Sequence, residues 1–294
     1  MRVLIGLIAV ALVGADVFAW VTAPATLTPE IRSALAAPGD ASAGRVVFEA
    51  AGCQSCHKSA GQDDPLKLGG GPPLKTAFGQ FYPPNISPDV KDGIGGWSVD
   101  DFASTLLLGV SPQGEHEYPA LPYASYRHLA LKDVRDLYAF MRTLPAVAGR
   151  APPNQLIFPL GWRRLLGGWK FLFLGPPDGP DSVTPADDAA FGRYLVEAPG
   201  HCGECHTPRN FLGGLEQSHK LSGAPLPDGK GKVPAITAQA LKSWSQDDIV
   251  TALTLGFTPT GDSLGGPMAE VVRNLSALPQ AYPKAIAQAL KAGT

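Results

Sequence analysis

Apolar side chains recur at helical spacing in several short segments of the chain. Between residues 131 and 141 they stand at positions 131, 134, 137, 138 and 141, which predicts a helix with one buried face. Similar patterns predict five further helices, at residues 44–51, 100–108, 190–196, 247–255 and 285–290. Ser98 and Ser245 precede two of them and are expected to cap their first turns. Because the alternation typical of strands is not evident, we expect an all-α chain.

The N-terminal segment is strongly apolar. Arg2 is followed by an apolar run over residues 3–23, interrupted by Asp16, and these 21 residues are about enough to cross a bilayer. Arg2 would hold the N-terminus in the cytoplasm. Phe18 and Trp20 stand where a signal peptidase needs small residues. We expect residues 1–24 to be either a signal peptide or a retained anchor, with membrane association through residues 3–23.

An internal repeat divides the rest of the chain. The segments 97–101 (WSVDD) and 244–248 (WSQDD) align at a shift of 147 residues, and two cysteine clusters align at a shift of 149. This predicts two copies of one module, at residues 40–147 and 186–292, joined by a Pro/Gly/aromatic linker at 148–185. The aromatic middle of the linker is expected to pack between the modules, and a membrane-surface or partner contact is the alternative.

Composition and charge limit the classes of partner and the kind of fold to expect. Of the 294 residues, 24 are basic and 26 acidic, so the net charge of −2 gives no reason to expect nucleic acid. The 34 glycines and 29 prolines, with only 17% charged residues, are typical of short helices joined by long loops.

All four cysteines lie in two C-x-x-C-H clusters. The clusters are Cys53, Cys56 and His57, and Cys202, Cys205 and His206. Two thiols three positions apart can form thioethers with both vinyl groups of a haem, and the adjacent histidine can ligate the iron. We therefore predict two covalently bound haem c groups, with His57 and His206 as iron ligands. A four-cysteine zinc site or a disulfide oxidoreductase is the alternative, which the 145 residues between the pairs disfavour.

The sixth iron ligands are predicted to differ between the modules. Met268, in the sequence Gly265-Gly266-Pro267-Met268, is expected to lie in a loop and to ligate the second iron. Its counterpart in the first module is Leu121, which cannot ligate iron. Met141 falls on the apolar stripe of a predicted helix and is expected in the core. For the first iron we favour His128, and His116 or an open position remain alternatives.

Several longer motifs resemble a known family. They are FYPPNIS (81–87), GIGGWS (93–98), GVSP (109–112), YPALPY (118–123) and GDSLGGPM (261–268). In these the chain resembles the bacterial di-haem cytochromes c related to the cytochrome c subunits of membrane-bound alcohol and gluconate dehydrogenases. The resemblance implies two tandem class I cytochrome c domains that accept electrons from a dehydrogenase and pass them to quinone or an oxidase. The family commonly carries methionine where this chain has Leu121, and some members carry one in place of Leu129.

These observations support an electron-relay function on the periplasmic side of the inner membrane. The partners would be a periplasmic or membrane-bound dehydrogenase and a downstream respiratory acceptor. The alternative is a peroxidase-like haem enzyme that uses an open or unusually ligated first haem. The ligand near residues 116–129 distinguishes the two.

Overall fold

A computed structural model describes residues 2–184, 188–226, 229 and 231–293. The predicted boundary between linker and second module, at residues 185 and 186, lies outside these residues, as does residue 1. The N-terminal helix α1 spans Arg2–Val21 and is exposed along its length. Among the described helices it alone has the length and apolar composition to cross a membrane.

Helix α2 precedes the first module, α3 to α7 lie within it, and α8 lies in the linker. Their bounds are Pro29–Leu35 (α2), Ala41–Ala51 (α3), Cys53–His57 (α4), Val99–Leu108 (α5), Tyr123–Tyr126 (α6), Leu131–Met141 (α7) and Leu165–Phe173 (α8). The second module contains α9 to α13. These are Asp188–Glu197 (α9), Gly203–His206 (α10), Gln246–Leu255 (α11), Pro267–Ser276 (α12) and Ala281–Ala292 (α13), with a 3-10 turn at Gln217–His219. The predicted helices are all present.

Within the described residues five short strands accompany the helices, so the expectation of an all-α chain was incomplete. Leu74–Thr76 (β1), Gly79–Phe81 (β2) and Gln155–Leu156 (β3) form an antiparallel sheet in that order. Ala224–Pro225 (β4) pairs with Lys232–Val233 (β5). Strands of two or three residues are too short for alternation to show in the sequence. The pairing of β3 with β2 attaches the start of the linker to the first module.

Each module is built on one close helix crossing. In the first module α3 packs on α7, and in the second α9 packs on α13. Gly44 and Gly192 lie at the two crossings, where a Cβ would stand 1.9 Å from the carbonyl oxygens of Asp136 and Ala285, respectively. No side chain can be accommodated at that distance, which explains glycine at both positions. The duplicated sequence therefore gives duplicated packing.

The capping predictions for α5 and α11 are confirmed. Ser98 Oγ accepts a hydrogen bond from the Asp101 amide at 3.1 Å, and the Asp101 carboxylate accepts one from the Ser98 amide at 2.9 Å. Ser245 and Asp248 repeat the arrangement at 3.0 and 2.8 Å. These reciprocal bonds fix where each helix begins.

Two apolar cores lie side by side. One forms around Phe48, Leu107 and Val134, and the other around Phe191, Leu253 and Ile286. Tyr194 of α9 crosses from the second core to the first module, where its hydroxyl donates to the Asp133 carboxylate at 2.6 Å and accepts from the Ala130 amide at 3.2 Å. The modules are thus held together by buried polar contacts as well as by packing.

Candidate haem sites

Helix α4 places the first C-x-x-C-H cluster directly after α3. Gly52 separates the two helices with a φ of +62°, which lets the chain turn sharply before Cys53. Cys53 and Cys56 are free thiols three residues apart in α4. His57 Nδ1 lies 2.8 Å from the carbonyl oxygen of Pro84. Because a carbonyl only accepts, Nδ1 carries the proton and the lone pair of the neutral ring resides on Nε2.

The second cluster repeats this geometry. Cys202 is the N-cap of α10, Cys205 lies within the helix, and His206 ends it. His206 Nδ1 lies 2.8 Å from the carbonyl oxygen of Pro234. Among the described residues, neither His57 nor His206 has a hydrogen-bond partner at Nε2. Two thiols and an imidazole oriented in this way fit a covalently attached haem, because an iron-bound histidine needs its second nitrogen held.

Burial sets the protonation of these groups. It lowers the pKa of His57 and of His206, which favours the neutral imidazole that a metal requires, although the proline carbonyls act the other way. Burial, and to a smaller extent the neighbouring Cys56, raises the pKa of Cys53 to about 12. Burial and the neighbouring Cys205 raise the pKa of Cys202 to about 12 in the same way. Thiols with a raised pKa are unlike the low-pKa thiolates of disulfide oxidoreductases. In the part of the chain that is described, the cysteine pairs are not assembled with other ligands into one metal cluster.

Helix α4, which we call the first attachment helix, contacts the second module through Asn274. This α12 side chain is 3% exposed. Its Oδ1 accepts from Gln54 Nε2 at 2.7 Å, and its Nδ2 donates to Ser55 Oγ at 2.8 Å. Gln54 and Ser55 are the two residues between Cys53 and Cys56. The first cluster is therefore fixed against the second module.

Helix α10, which we call the second attachment helix, in turn contacts the first module. Glu204, between Cys202 and Cys205, accepts a hydrogen bond at 2.9 Å from Ser125 Oγ in α6. Arg209 forms an ion pair with the same carboxylate. His201 Nε2 lies 3.2 Å from the carbonyl oxygen of Ala51, so it is the donor in that contact. The two attachment sites thus meet at one interface.

Met268 lies in a helix, so the prediction that placed it in a loop was wrong. It is the second residue of α12, whose N1 position is occupied by Pro267. A proline at the first turn needs no amide partner, and its φ suits a helix. Met268 is half-buried and packs against the second core.

The first module has leucines in the corresponding region. Leu129 is 1% exposed within the first core, and Leu121 packs against that core. Met141 is buried in the same core, which confirms its prediction as a packing residue. Neither leucine has an atom that could ligate iron.

The two candidate histidines of the first module have partners. His116 is buried, with Nε2 3.0 Å from the carbonyl oxygen of Thr22, and its Nδ1 is buried without a partner. His128 is partly exposed, and its Nδ1 contacts the Asp178 carboxylate in the linker. Among the described residues, Nε2 of His128 and Nδ1 of His116 are therefore the ring nitrogens left without a partner.

Sequence reasoning missed the groups that orient the site. Pro84 and Pro234 hold the histidines, and each stands two residues before an isoleucine, in Pro84-Asn85-Ile86 and Pro234-Ala235-Ile236. That parallel could have revealed them. Asn274 and Ser125 gave no signal, because their role depends on how the two modules dock.

Paired helical modules, each with a C-x-x-C-H helix and an oriented histidine, define a c-type cytochrome. The family model described as cytochrome c matches residues 41–145. The chain is 48% identical to a "Diheme cytochrome c-type" protein of Cereibacter sphaeroides, over 92% of this chain and 91% of that protein. It therefore belongs to the di-haem cytochrome c family.

Further relatives are cytochrome subunits of dehydrogenases. The fructose dehydrogenase cytochrome subunit of Gluconobacter japonicus is 38% identical over 85% of this chain, and an alcohol dehydrogenase (quinone) cytochrome c subunit of Gluconobacter oxydans is 35% identical over 78%. The chain spans 52% and 49% of the lengths of these two proteins. Family membership supports covalently bound haem c and is consistent with electron transfer.

Proposed function

We propose that this chain is a di-haem electron relay on the periplasmic side of the inner membrane. It takes electrons from a dehydrogenase and delivers them to quinone or to a terminal respiratory acceptor. The observation that carries the proposal is the pair of attachment helices, each with an oriented histidine, that meet at one interface. Each haem supplies an iron that takes up and releases one electron. The names of the dehydrogenase subunits among the relatives support the choice of electron donor.

The assignments follow the two modules. Residues 40–147 and 186–292 form the cytochrome domains, residues 148–185 link them, and residues 1–24 are the membrane anchor or export signal. Cys53, Cys56 and His57 hold the first haem. Cys202, Cys205 and His206 hold the second.

The protein residues hold the two redox sites in a fixed relation. Asn274 ties Gln54 and Ser55 to the second module, and Glu204 ties the second attachment helix to Ser125. With side chains locked on both sides, the interface needs little rearrangement when charge moves. This favours electron exchange within the chain over release of the modules from one another.

Haem content tests the assignment directly. The pyridine haemochrome spectrum of the purified protein should give two haems per chain, and the haem should stay attached on a denaturing gel. The Cys53→Ala/Cys56→Ala variant and the Cys202→Ala/Cys205→Ala variant should each retain one. A native content of one haem, or of none, would refute the proposal. Relay function is then shown by reduction of both haems on addition of a dehydrogenase and its substrate.

For the iron ligands we propose His206 with Met268, and His57 with His128. Asp178 contacts Nδ1 of His128 and leaves Nε2 for the metal, as carboxylates commonly do behind ligating histidines. EPR of the oxidised protein should lose the low-spin signal of the first haem in His128→Ala. His219→Ala, at an exposed histidine paired with Glu216, should leave the spectrum unchanged. An unaltered first-haem signal in His128→Ala would exclude His128.

A second candidate function is peroxide reduction at the first haem. It is favoured by the two leucines, Leu121 and Leu129, in the region where the family carries methionine, and by the tie between His116 and Thr22. The reaction would consume two electrons from the dehydrogenase and two protons for each hydrogen peroxide, giving two waters. Rapid reoxidation of the reduced protein by peroxide, together with a high-spin first haem, would support this function. A fully low-spin protein that reacts slowly with peroxide would exclude it.

A further inference from the structure

Helix α8 has its charged residue inside and apolar residues outside. Lys170 is 8% exposed, and its Nζ donates to the carbonyl oxygens of Leu108 and Gly109 at the end of α5. Phe171 and Leu172, which follow it, are more than 60% exposed. A helix on the surface of a protein in water shows the opposite arrangement. The outer face of α8 is therefore suited to a medium other than water.

The end of α1 is fastened beside α8. Arg164 donates to the Ala19 carbonyl at 2.9 Å and to Thr22 Oγ1 at 2.8 Å, and His116 holds the Thr22 carbonyl at 3.0 Å. A Cβ on Gly167 would lie 2.6 Å from Thr22 Cα, so α8 and the end of α1 are in backbone contact. Thr22 is 2% exposed. The point at which α1 leaves the folded modules is thus part of their structure.

Exposed aromatic and aliphatic side chains lie at this point or within a few residues of it along the chain. We call this set the collar: Trp20, Ile157, Phe158, Trp162, Phe171 and Leu172, each more than half exposed. Trp162 contacts Phe18 of α1, with ring centroids 5.7 Å apart, and Phe171 contacts Trp20 at 6.3 Å. The collar is therefore continuous with α1.

We propose that the collar lies in the interfacial layer of the same bilayer that α1 crosses. The proposal rests on retention of α1 as an anchor, which is one of the two roles that the proposed function gives to residues 1–24. The 20 residues of α1 are about 30 Å long, the thickness of the hydrocarbon core, so its C-terminal end reaches the bilayer surface. Side chains that contact that end must lie at the same depth. Tryptophan and other aromatic residues are favoured at this level.

Contact at the collar would orient both modules. Lys170 binds α5 of the first module, and Trp169 Nε1 donates to the Leu212 carbonyl of the second at 2.9 Å. α8 therefore joins the membrane surface to both cytochrome modules. A single flexible anchor would leave their orientation free, whereas anchor and collar together fix it.

Photo-crosslinking of the full-length chain in phospholipid vesicles tests the proposal. Benzoylphenylalanine is placed, one site at a time, at Val10 in α1, at Phe158 and Phe171 in the collar, and at Phe257. Phe257 is also about half exposed, at 52%, but belongs to the second module, where its backbone pairs with that of Ser263. Lipid adducts are quantified by mass spectrometry after irradiation, and the reduced-minus-oxidised spectrum confirms that each variant carries its haems.

The result expected is lipid adducts at Val10, Phe158 and Phe171, at least tenfold above Phe257. Adducts at Val10 with Phe158 and Phe171 at the Phe257 level would overturn the collar while leaving the anchor intact. Absence of adducts at Val10, with an N-terminus that begins after residue 21, would instead refute the anchor on which the proposal rests. Crosslinks from the Phe171 site to protein and not to lipid would also overturn the placement of the collar in the bilayer.

Discussion

Removal of the Asn274 side chain should weaken the interface between the modules by about 2.5 kcal/mol. Asn274 makes two buried hydrogen bonds across the interface, at 2.7 Å with Gln54 and at 2.8 Å with Ser55. Each such bond contributes about 1 kcal/mol net, and an uncompensated polar group left behind adds about 1 kcal/mol. Alanine is the better helix former by about 0.5 kcal/mol, which offsets part of the loss.

The assay is chemical unfolding of Asn274→Ala by guanidinium, followed by far-ultraviolet circular dichroism. Ser276→Ala is the matched control, since Ser276 lies in the same helix and is exposed. Its effect should stay within about 0.5 kcal/mol. The Asn274→Ala transition should move to lower denaturant with a similar slope, because the same surface is exposed on unfolding.

Equal effects of the two substitutions would refute the reasoning. They would mean that the contacts of Asn274 do not tie the first attachment helix to the second module. Ser125→Ala gives an independent check from the other side, because it removes the bond to Glu204 while Arg209 still neutralises that carboxylate.

Three other predictions concern the ligand, the helix crossing and the buried lysine. Met268→Ala should abolish the methionine-to-iron charge-transfer band of the oxidised protein and lower one reduction potential, whereas Met141→Leu should leave both unchanged. Gly44→Ala should destabilise the fold by about 1–3 kcal/mol, because its Cβ would stand 1.9 Å from a carbonyl oxygen. Gly168 has open space around it, so Gly168→Ala should stabilise the fold by about 0.5 kcal/mol in the same denaturant titration. Burial lowers the pKa of Lys170 to about 7, so between pH 7 and about 10 the unfolded chain binds one more proton than the folded chain. The free energy of unfolding should therefore rise with pH in this range, by about 1.4 kcal/mol per pH unit relative to Lys170→Met. A difference between the two proteins that does not change with pH would refute this.

The sequence predicted the parts of the fold that depend on local patterns. The helix predicted at residues 131–141 agrees with the bounds of α7, Leu131–Met141, because its apolar positions follow one face without interruption. The starts of α5 and α11 were predictable because Ser98 and Ser245 carry their capping chemistry beside them. The strands were missed because they are only two or three residues long, and the pairing of β2 with β3 also joins segments about 75 residues apart in the chain.

The candidate site was predictable in its cysteine and histidine spacing and not in the groups that support it. Spacing alone identified both candidate attachment clusters, because thioether chemistry requires two thiols at a fixed interval. The partner of each histidine is a backbone carbonyl, which any residue carries, so only the parallel between the segments around Pro84 and Pro234, and not their chemistry, could have revealed them. Met268 was placed in a loop because Gly265, Gly266 and Pro267 precede it, yet proline at the first turn also begins helices.

The two modules agree where packing demands it and differ where each meets its surroundings. Gly44 and Gly192 repeat because both helix crossings exclude a side chain. The contacts that fasten the end of α1, by contrast, come from His116 in the first module and Arg164 in the linker, and among the described residues none comes from the second module. The module joined to α1 is also the one with Leu121 in place of a methionine. The half of the duplicated chain that has Leu121 where the other half has Met268 is therefore also the half that contacts the end of α1. This is expected if the two halves exchange electrons with different partners.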